Sequence, residues 1–171
     1  MRQARLDSPL DFPGALFGIG ATLDGNTAVL GAPGINEASV YVETNGTWAL
    51  QQVIEGPVLN PEADFGTGLR VSGDVLLIGA YEDWRSPDLM QTGTAFVYRR
   101  GGSTWTEQAD RRMAPGTNGI PLPAVAFQRF SNLAAIGKVG STTTFVMGSP
   151  GLSDPASRAS ALGCVYTATL N

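Results

Sequence analysis

Seventeen residues near the start of the chain recur without a gap in its middle. Segment 17–33 is FGIGATLDGNTAVLGAP and segment 65–81 is FGTGLRVSGDVLLIGAY, with several differences that exchange one apolar residue for another. Self-similarity of this kind indicates an architecture built from structural repeats. Six positions are identical: Phe17/Phe65, Gly18/Gly66, Gly20/Gly68, Gly25/Gly73, Gly31/Gly79 and Ala32/Ala80.

Each copy predicts a β-hairpin. Residues 24–26 and 72–74 are glycine-containing turn signals, and the short apolar runs 28–30 and 75–78 follow them. A run that is apolar at every position is typical of a strand covered on both faces. The chain contains 22 glycines and 11 prolines, which favours many turns and short strands over helices.

Two further strands are predicted in each copy. Residues 38–42 match residues 93–97, with Tyr41 and Phe96 as the corresponding aromatic residues. Residues 44–52 then match 99–108, and each of these segments contains a glycine turn, a tryptophan (Trp48 or Trp105) and a polar strand that ends in glutamine. The sequence therefore predicts a four-stranded antiparallel meander in each repeat.

A third, more divergent copy follows. Residues 130–136 and 145–150 are its first two strands, with a turn at 137–144 about four residues longer than in the other copies. Residues 163–167 are its third strand, with Tyr166 at the aromatic position. The repeats are assigned to 11–56, 59–112 and 124–171 within one domain, 1–171. No fourth strand follows in the third copy, and residues 1–6 are the candidate for this missing outer strand.

The repeated residues resemble the FG-GAP family, which includes integrin α-subunit heads and many bacterial extracellular proteins. The resemblance implies an all-β fold of β-propeller blades, an adhesion or ligand-recognition role through loops on one rim, and an extracellular or cell-surface location. It is carried by Phe17-Gly18 with Gly31-Ala32-Pro33, by Phe65-Gly66 with Gly79-Ala80, by Phe130 with Gly148-Ser149-Pro150, and by the Trp-Thr-x-Gln stretch of residues 105–108.

Many family members bind calcium through an Asp-rich loop inside the blade. The matching turns here, residues 23–26 and 72–74, each contain a single carboxylate, whereas Ca²⁺ takes six to eight oxygen ligands. No metal ion or other cofactor is therefore expected.

Composition excludes several partners and chemistries. The net charge of −4 and pI of about 4.7 argue against a nucleic-acid partner, and no apolar run approaches the roughly 18 residues that span a bilayer. No signal peptide is recognised at the start of the chain, so the sequence leaves the compartment open. There is no histidine, and the single cysteine, Cys164, is interpreted as a small buried apolar residue.

Three blades cannot close a ring, because propellers use roughly four to eight. Two alternatives follow. Either two chains assemble into a six-bladed ring, in which residues 1–6 complete the last blade of the partner, or the chain is a segment of a longer propeller. Self-association or further blades in a longer chain are the expected partners.

The candidate ligand-binding residues lie in one loop, which belongs to no repeat position. It contains a tryptophan beside two carboxylates and an arginine, a combination suited to a protein or glycan ligand. The alternative is a solvated loop whose tryptophan packs against the neighbouring blade. The loops 34–37 and 151–160 are expected beside it, whereas Trp48 and Trp105 recur and are interpreted as packing residues. The candidates are Tyr81, Glu82, Asp83, Trp84 and Arg85.

No catalytic residues are predicted. Glu82 and Asp83 are adjacent and would point apart in an extended segment, so they do not form a glycosidase pair. Asp64 lacks an identifiable partner acid, and a serine nucleophile would lack histidine. The expected function is a non-catalytic module for protein interaction or adhesion. The alternatives are a lectin-like carbohydrate binder with exposed aromatic residues, or a purely structural module.

Overall fold

The computed structural model describes residues 4–58, 60–84, 90–115, 129–131, 134–150 and 164–170. These residues form an all-β structure of three antiparallel sheets, as the sequence predicts. Two single 3₁₀ turns, Pro33–Ile35 and Ala109–Arg111, are the helical elements of this part of the chain. The strands are β1 (Ala21–Asp24), β2 (Thr27–Ala32), β3 (Glu37–Thr44), β4 (Thr47–Glu55), β5 (Phe65–Ser72), β6 (Val75–Ala80), β7 (Thr94–Gly101), β8 (Thr104–Glu107), β9 (Ala134–Val139), β10 (Thr142–Ser149) and β11 (Cys164–Leu170).

The two clean sequence copies each form a four-stranded meander, which confirms the predicted topology. The first sheet has the order β1-β2-β3-β4 and the second sheet the order β5-β6-β7-β8. The inner hairpins turn at Gly25 and Gly73, whose φ values of 55° and 56° fall in the left-handed region. Trp48 and Trp105 lie opposite Glu43 and Arg100, at the same place in the two sheets.

The predicted correspondence between Tyr41 and Phe96 is wrong by two residues. Leu30 lies opposite Ser39 in the first sheet, and Ile78 lies opposite Phe96 in the second. Because Leu30 and Ile78 are matching repeat positions, Phe96 corresponds to Ser39. The sequence matched the aromatic residues by type, whereas the backbone register sets their true places.

The third sheet has the order β11-β10-β9. Its Tyr166 lies opposite Met147 as Phe96 lies opposite Ile78, so the match between Tyr166 and Phe96 is confirmed. The predicted long turn at 137–144 is wrong. The hairpin turns at Gly140, with φ of 59°, and the extra residues lengthen both strands.

Two hydrophobic cores lie between the sheets. In β6, Leu76 and Ile78 face the first sheet while Val75 and Leu77 face the third, so the apolar run is covered on both sides as predicted. The first core contains Val29, Ala38, Val40, Ile54, Ala63, Phe65, Leu69, Val71, Leu76, Ile78, Ala80, Phe96, Tyr98 and Trp105. The second contains Val75, Leu77, Ala95, Val97, Met113, Phe130, Ala134, Phe145, Met147, Tyr166 and Leu170.

Glycine allows the first two sheets to approach closely. The carbonyl oxygen of Gly66 lies where a Cβ atom on Gly31 would stand, only 1.9 Å from that ideal position. Gly20 faces the same carbonyl at 2.1 Å. Residues with side chains at these two positions would collide with the backbone of the second sheet.

The junction between the second and third sheets repeats this arrangement. The carbonyl oxygen of Ser131 lies 2.4 Å from the ideal Cβ position of Gly79. Ser131 occupies the place of Gly66 and Gly18, and all three have positive φ, at 68°, 102° and 88°. Ser131 is held in this conformation because its hydroxyl donates a buried hydrogen bond of 2.8 Å to the carbonyl of Thr94.

The paired aromatic residues inside the second and third sheets also share one geometry. The rings of Phe65 and Phe96 meet edge to face, with centroids 5.4 Å apart and planes at 67°. Phe130 and Tyr166 meet at 5.3 Å and 68°. All four side chains are buried, so the motif phenylalanine is a core residue in both of these copies.

The residue after the motif glycine in each copy ends the second strand. Ala32, Ala80 and Ser149 are buried. Pro33 begins a 3₁₀ turn and is buried, whereas Pro150 is exposed.

Residues 4–10 lie outside the strands. Ala4 and Leu6 line a groove on the first sheet, and the Tyr41 hydroxyl donates a hydrogen bond of 2.6 Å to the carbonyl of Asp7. Residues 4–6 therefore form no strand with the third sheet of their own chain, and pairing of residues 1–6 with a partner chain stays a prediction. Within the described residues no helix has the length and apolar character to cross a membrane.

Candidate functional site

Hydrogen bonds hold the residues that directly follow β6. The Asp83 N–H donates to the carbonyl of Ala80 at 3.2 Å, and the Gly93 N–H donates to the carbonyl of Asp83 at 3.1 Å. The Trp84 N–H donates to the Asn60 side-chain oxygen at 2.9 Å. Residues 81–84 therefore have defined positions, whereas Arg85 lies outside the described residues.

Asp83 is a buried residue of this loop, with an exposed fraction of 3%. A carboxyl at that depth is not presented to a ligand, and its carbonyl also accepts from the Thr92 hydroxyl at 3.4 Å. Its predicted role as a contact residue gives way to a role in holding the loop. Residues 80–83 form a turn and not the extended segment that the sequence suggested. Glu82 is nevertheless partly exposed while Asp83 is buried.

Glu82 is the partly exposed carboxylate of the loop. One of its oxygens accepts a hydrogen bond of 3.0 Å from the Gln91 amide, and the other lies 3.4 Å from a guanidinium nitrogen of Arg129. Burial raises the pKa of Glu82, and Asp64 and Glu62 raise it further, while Arg129 opposes them. The ionised form is therefore held by a single described cation among several carboxylates.

Tyr81 completes this cluster. It is half-buried and its hydroxyl is hydrogen-bonded to Asp64. Burial, followed by this hydrogen bond and the charge of Asp64, raises the pKa of Tyr81 to about 12. The phenol therefore stays protonated near neutral pH, where it acts as a hydrogen-bond donor and not as a base.

Trp84 is half-buried, and its described contact is the hydrogen bond from its main-chain N–H to Asn60. It follows the acidic pair Glu82 and Asp83 in the sequence. We call the group of Tyr81, Glu82, Asp64, Gln91 and Arg129, together with Trp84 of the same loop, the rim cluster.

Three members of the rim cluster were missed as ligand contacts from the sequence, namely Asp64, Gln91 and Arg129. A signal for two of them was present, because Asp64 and Arg129 each precede a motif phenylalanine, as Leu16 does. Asp64, Arg129 and Leu16 have positive φ values of 57°, 53° and 57°, respectively. The repeat thus places their side chains at equivalent points of successive sheets.

The neighbouring loops have different roles. In loop 34–37 the Asn36 side-chain oxygen accepts a hydrogen bond of 3.0 Å from the Phe65 N–H, so it joins the first two sheets. Loop 151–160 and the side chain of Cys164 lie outside the described residues. In the described part of the chain, no group of three or more His, Cys, Asp and Glu residues is arranged to hold a metal ion.

The recurring tryptophans differ in their surroundings. Trp105 is 2% exposed and packs between the first and second sheets, which confirms its packing role. Trp48 is half-buried on the outer face of the first sheet, where it lines the groove with Leu6 and Leu30.

Comparisons with known proteins add no family assignment. No protein-family model matches the chain, and no curated protein is detectably similar to it. The fold class is therefore that of an all-β protein of three antiparallel sheets, and the FG-GAP resemblance enters only as part of a proposal.

Proposed function

We propose that the chain is a β-propeller segment of the FG-GAP type that acts as a non-catalytic protein-interaction module. The observation that carries the proposal is the repeated junction between sheets, in which the carbonyl of Gly66 or Ser131 lies against Gly31 or Gly79. Strand β5 also contacts both β1 and β9, and this adjacency of the first strands supports a radial arrangement.

The two outer faces support stacking on further sheets of the same kind. Leu23 is 63% exposed on the first sheet, whereas its counterpart Val71 is buried against the first sheet. Val165 is 68% exposed on the third sheet, whereas its counterpart Ala95 is buried. Each end thus presents apolar positions that the internal junctions cover, and a second copy would cover both ends.

The rim cluster is the surface we assign to partner binding. Residues 81–84 are held by hydrogen bonds of their main chain, so these residues have little conformational entropy to lose when they bind. Tryptophan and tyrosine are enriched in interface hot spots, and the carboxylates of Glu82 and Asp64 favour a partner with a cationic group. An extracellular or cell-surface location follows from the family resemblance.

The absence of histidine from the chain removes the catalytic arrangements that use an imidazole base, which supports a binding role over catalysis. Carbohydrate binding is the rival function, because a half-buried tryptophan in a loop that also contains carboxylates suits stacking on a sugar ring. The two functions differ in the ligand captured, and both depend on Trp84.

The experiment compares the wild type with Trp84→Ala on an array of extracellular protein domains and on a glycan array. Phe12→Ala is the matched control, because it removes an aromatic ring that is 59% exposed outside the rim cluster. We expect protein hits that are lost in Trp84→Ala and kept in Phe12→Ala. Glycan hits with that same pattern would replace protein binding by carbohydrate binding, and hits unaffected by Trp84→Ala, or no hits, would overturn the assignment.

A further inference from the structure

The turn between β3 and β4 presents an asparagine to solvent. Asn45 and Gly46 both have left-handed φ values, of 52° and 81°, and the flanking Thr44 lies opposite Thr47. Two left-handed residues between paired strands are typical of the type I′ turn, which Asn-Gly favours. The four residues 44–47 are all exposed. The Asn45 side chain therefore lies at the tip of a hairpin, beyond the faces of the first sheet.

The side chain of Asn45 differs from those of the other described asparagines, which have structural tasks. The Asn26 amide donates a hydrogen bond of 3.1 Å to the carbonyl of Glu43. Asn36 and Asn60 each form two side-chain hydrogen bonds with the main chain of other segments. Within the described part of the chain, the Asn45 side chain makes no hydrogen bond. Its amide nitrogen is therefore accessible and is not used to hold the fold.

The fold does not require an asparagine at this turn. In the second sheet Gly101 lies opposite Thr104, so residues 102–103 form the equivalent turn between β7 and β8. Gly102 takes the left-handed conformation there, with φ of 64°. The same hairpin is thus closed by a residue that has no side-chain amide. The turn geometry alone does not account for the amide of Asn45.

The sequence of the turn matches the acceptor pattern for N-linked glycosylation. That pattern is asparagine, any residue except proline, and then serine or threonine, and residues 45–47 are Asn-Gly-Thr. No other asparagine within residues 1–169 has serine or threonine two positions later. The pattern is short and marks a site only where the asparagine lies on the surface of a secreted protein. Asn45 has the required exposure.

We propose that Asn45 is the acceptor of an N-linked oligosaccharide. The inference rests on the extracellular location that belongs to the proposed function, because N-linked glycans are attached to secreted proteins. It does not depend on which ligand the rim cluster binds. The oligosaccharide is a bulky and solubilising group at the outer tip of the first sheet.

The transfer needs a donor and a transferase of the secretory pathway. The donor is an oligosaccharide joined through pyrophosphate to a lipid. The Asn45 Nδ2 forms a bond to C1 of the first sugar, while the bond between C1 and the pyrophosphate oxygen breaks. The lipid pyrophosphate leaves with that electron pair, and a base of the transferase accepts one proton from the amide nitrogen.

A glycan at this turn leaves the rim cluster open. Strand β3 runs from Glu37 to Thr44, so Asn45 lies at the opposite end of the first sheet from loop 34–37. Residues 81–84 follow β6 at the end of the second sheet that corresponds to this loop. A strand of 8 residues spans about 26 Å. The oligosaccharide therefore projects away from the rim cluster and from the faces on which sheets stack.

The test is the intact mass of the secreted protein. The full chain is expressed behind a cleavable signal peptide in cultured eukaryotic cells, whose own transferase and lipid-linked donor act on it. Mass is measured before and after treatment with peptide-N-glycosidase. We expect the wild type to carry one oligosaccharide, which the enzyme removes. If the protein is retained in the cells, the same measurement is made on protein purified from them.

Four variants locate the acceptor. Asn45→Asp removes the amide and keeps a residue that suits the turn, and it is expected to carry no sugar. Thr47→Ala keeps Asn45 but destroys the pattern, and it is also expected to lose the sugar, whereas Thr47→Ser is expected to keep it. Asn26→Asp is the matched control, because it changes an asparagine whose amide is already bonded, and it is expected to be glycosylated as the wild type is.

Folding provides a second readout, because a glycan in open solvent should not strain the protein. The thermal midpoint of the glycosylated wild type is expected to be no lower than that of Asn45→Asp. Trp84→Ala is expected to carry the same oligosaccharide as the wild type, so failure of this proposal is distinguishable from failure of the rim cluster. The proposal is overturned by a wild type without sugar, by sugar that persists in Asn45→Asp, or by a glycosylated protein that unfolds at a lower temperature than Asn45→Asp.

Discussion

The side-chain amide of Gln52 forms two hydrogen bonds with the main chain of Trp105. Its nitrogen donates to the Trp105 carbonyl at 3.0 Å, and its oxygen accepts from the Trp105 N–H at 2.7 Å. The amide thereby continues the hydrogen bonding of one sheet across to the next. The outer edges of the first two sheets are joined by this contact, and their inner edges by the close approach of Gly66 to Gly31.

Loss of the Gln52 amide is expected to destabilise the protein. Gln52→Ala removes both hydrogen bonds and leaves polar groups of a buried residue unpaired, which costs about 1–3 kcal/mol. Gln108→Ala is the control, because the Gln108 amide donates to the carbonyl of Thr106, two residues away, and makes no described contact with another sheet. The free energy of unfolding is measured by urea titration, and equal losses in both variants would show that the contact adds nothing.

Gly31→Ala is expected to destabilise the junction between the first two sheets. The added methyl group would stand 1.9 Å from the Gly66 carbonyl oxygen, so one sheet must shift, at a cost of about 1–3 kcal/mol. Gly101→Ala is the control, since no atom lies within 4 Å of the methyl group it would add. Thermal unfolding of both variants checks the prediction. A midpoint for Gly31→Ala equal to that of Gly101→Ala contradicts it.

The motif phenylalanines are expected to differ in their importance. Phe130→Ala removes a fully buried ring that packs on Tyr166, and we expect a loss of about 3–5 kcal/mol. Phe17→Ala removes the corresponding half-buried ring of the first sheet and is expected to cost less. The comparison uses denaturant midpoints, and a larger loss for Phe17→Ala would mean that the first sheet is better covered than its exposure indicates.

The rim cluster is expected to make stability depend on pH. Burial and the charge of Asp64 raise the pKa of Glu82 above its ordinary value of 4.5 in the folded protein. Between pH 4.5 and the raised pKa of Glu82, the folded state binds more protons than the unfolded state. Glu82 therefore lowers the free energy of unfolding as pH rises through that window.

Glu82→Gln removes this titration. The stability of the variant minus that of the wild type should increase as pH rises above about 4.5 and should level off above the raised pKa of Glu82. Asp11→Asn, which removes an exposed carboxylate, is the control. The measurement is the urea midpoint at a series of pH values, and a stability difference that falls with rising pH would mean that the folded protein lowers the pKa of Glu82.

The strand pattern was accessible from the sequence because turns and apolar runs are local signals. Both glycine turns and the doubly covered strand at residues 75–78 were predicted correctly. The register of Tyr41 was predicted incorrectly, because its position depends on the pairing of β3 with β2. The third hairpin was misjudged for a similar reason, because strand length depends on pairing of β9 with β10.

The candidate site was predicted only in part. Tyr81 and Glu82 lie near one another because they are adjacent in sequence. Asp64 and Arg129 join them through the stacking of successive sheets, and their shared place before a motif phenylalanine was the one sequence signal for this. The burial of Asp83 was invisible, since it depends on neighbours from the rest of the fold.

The central claim is that the outer faces of the first and third sheets are unfinished junctions of the same kind as the two inside the chain. Sedimentation equilibrium of the wild type and of Leu23→Lys, which places a charge on the outer face, tests it most directly. We expect twice the chain mass of 17.9 kDa for the wild type and a shift to the single-chain mass for the variant. A wild-type mass of 17.9 kDa at every concentration reached would contradict it.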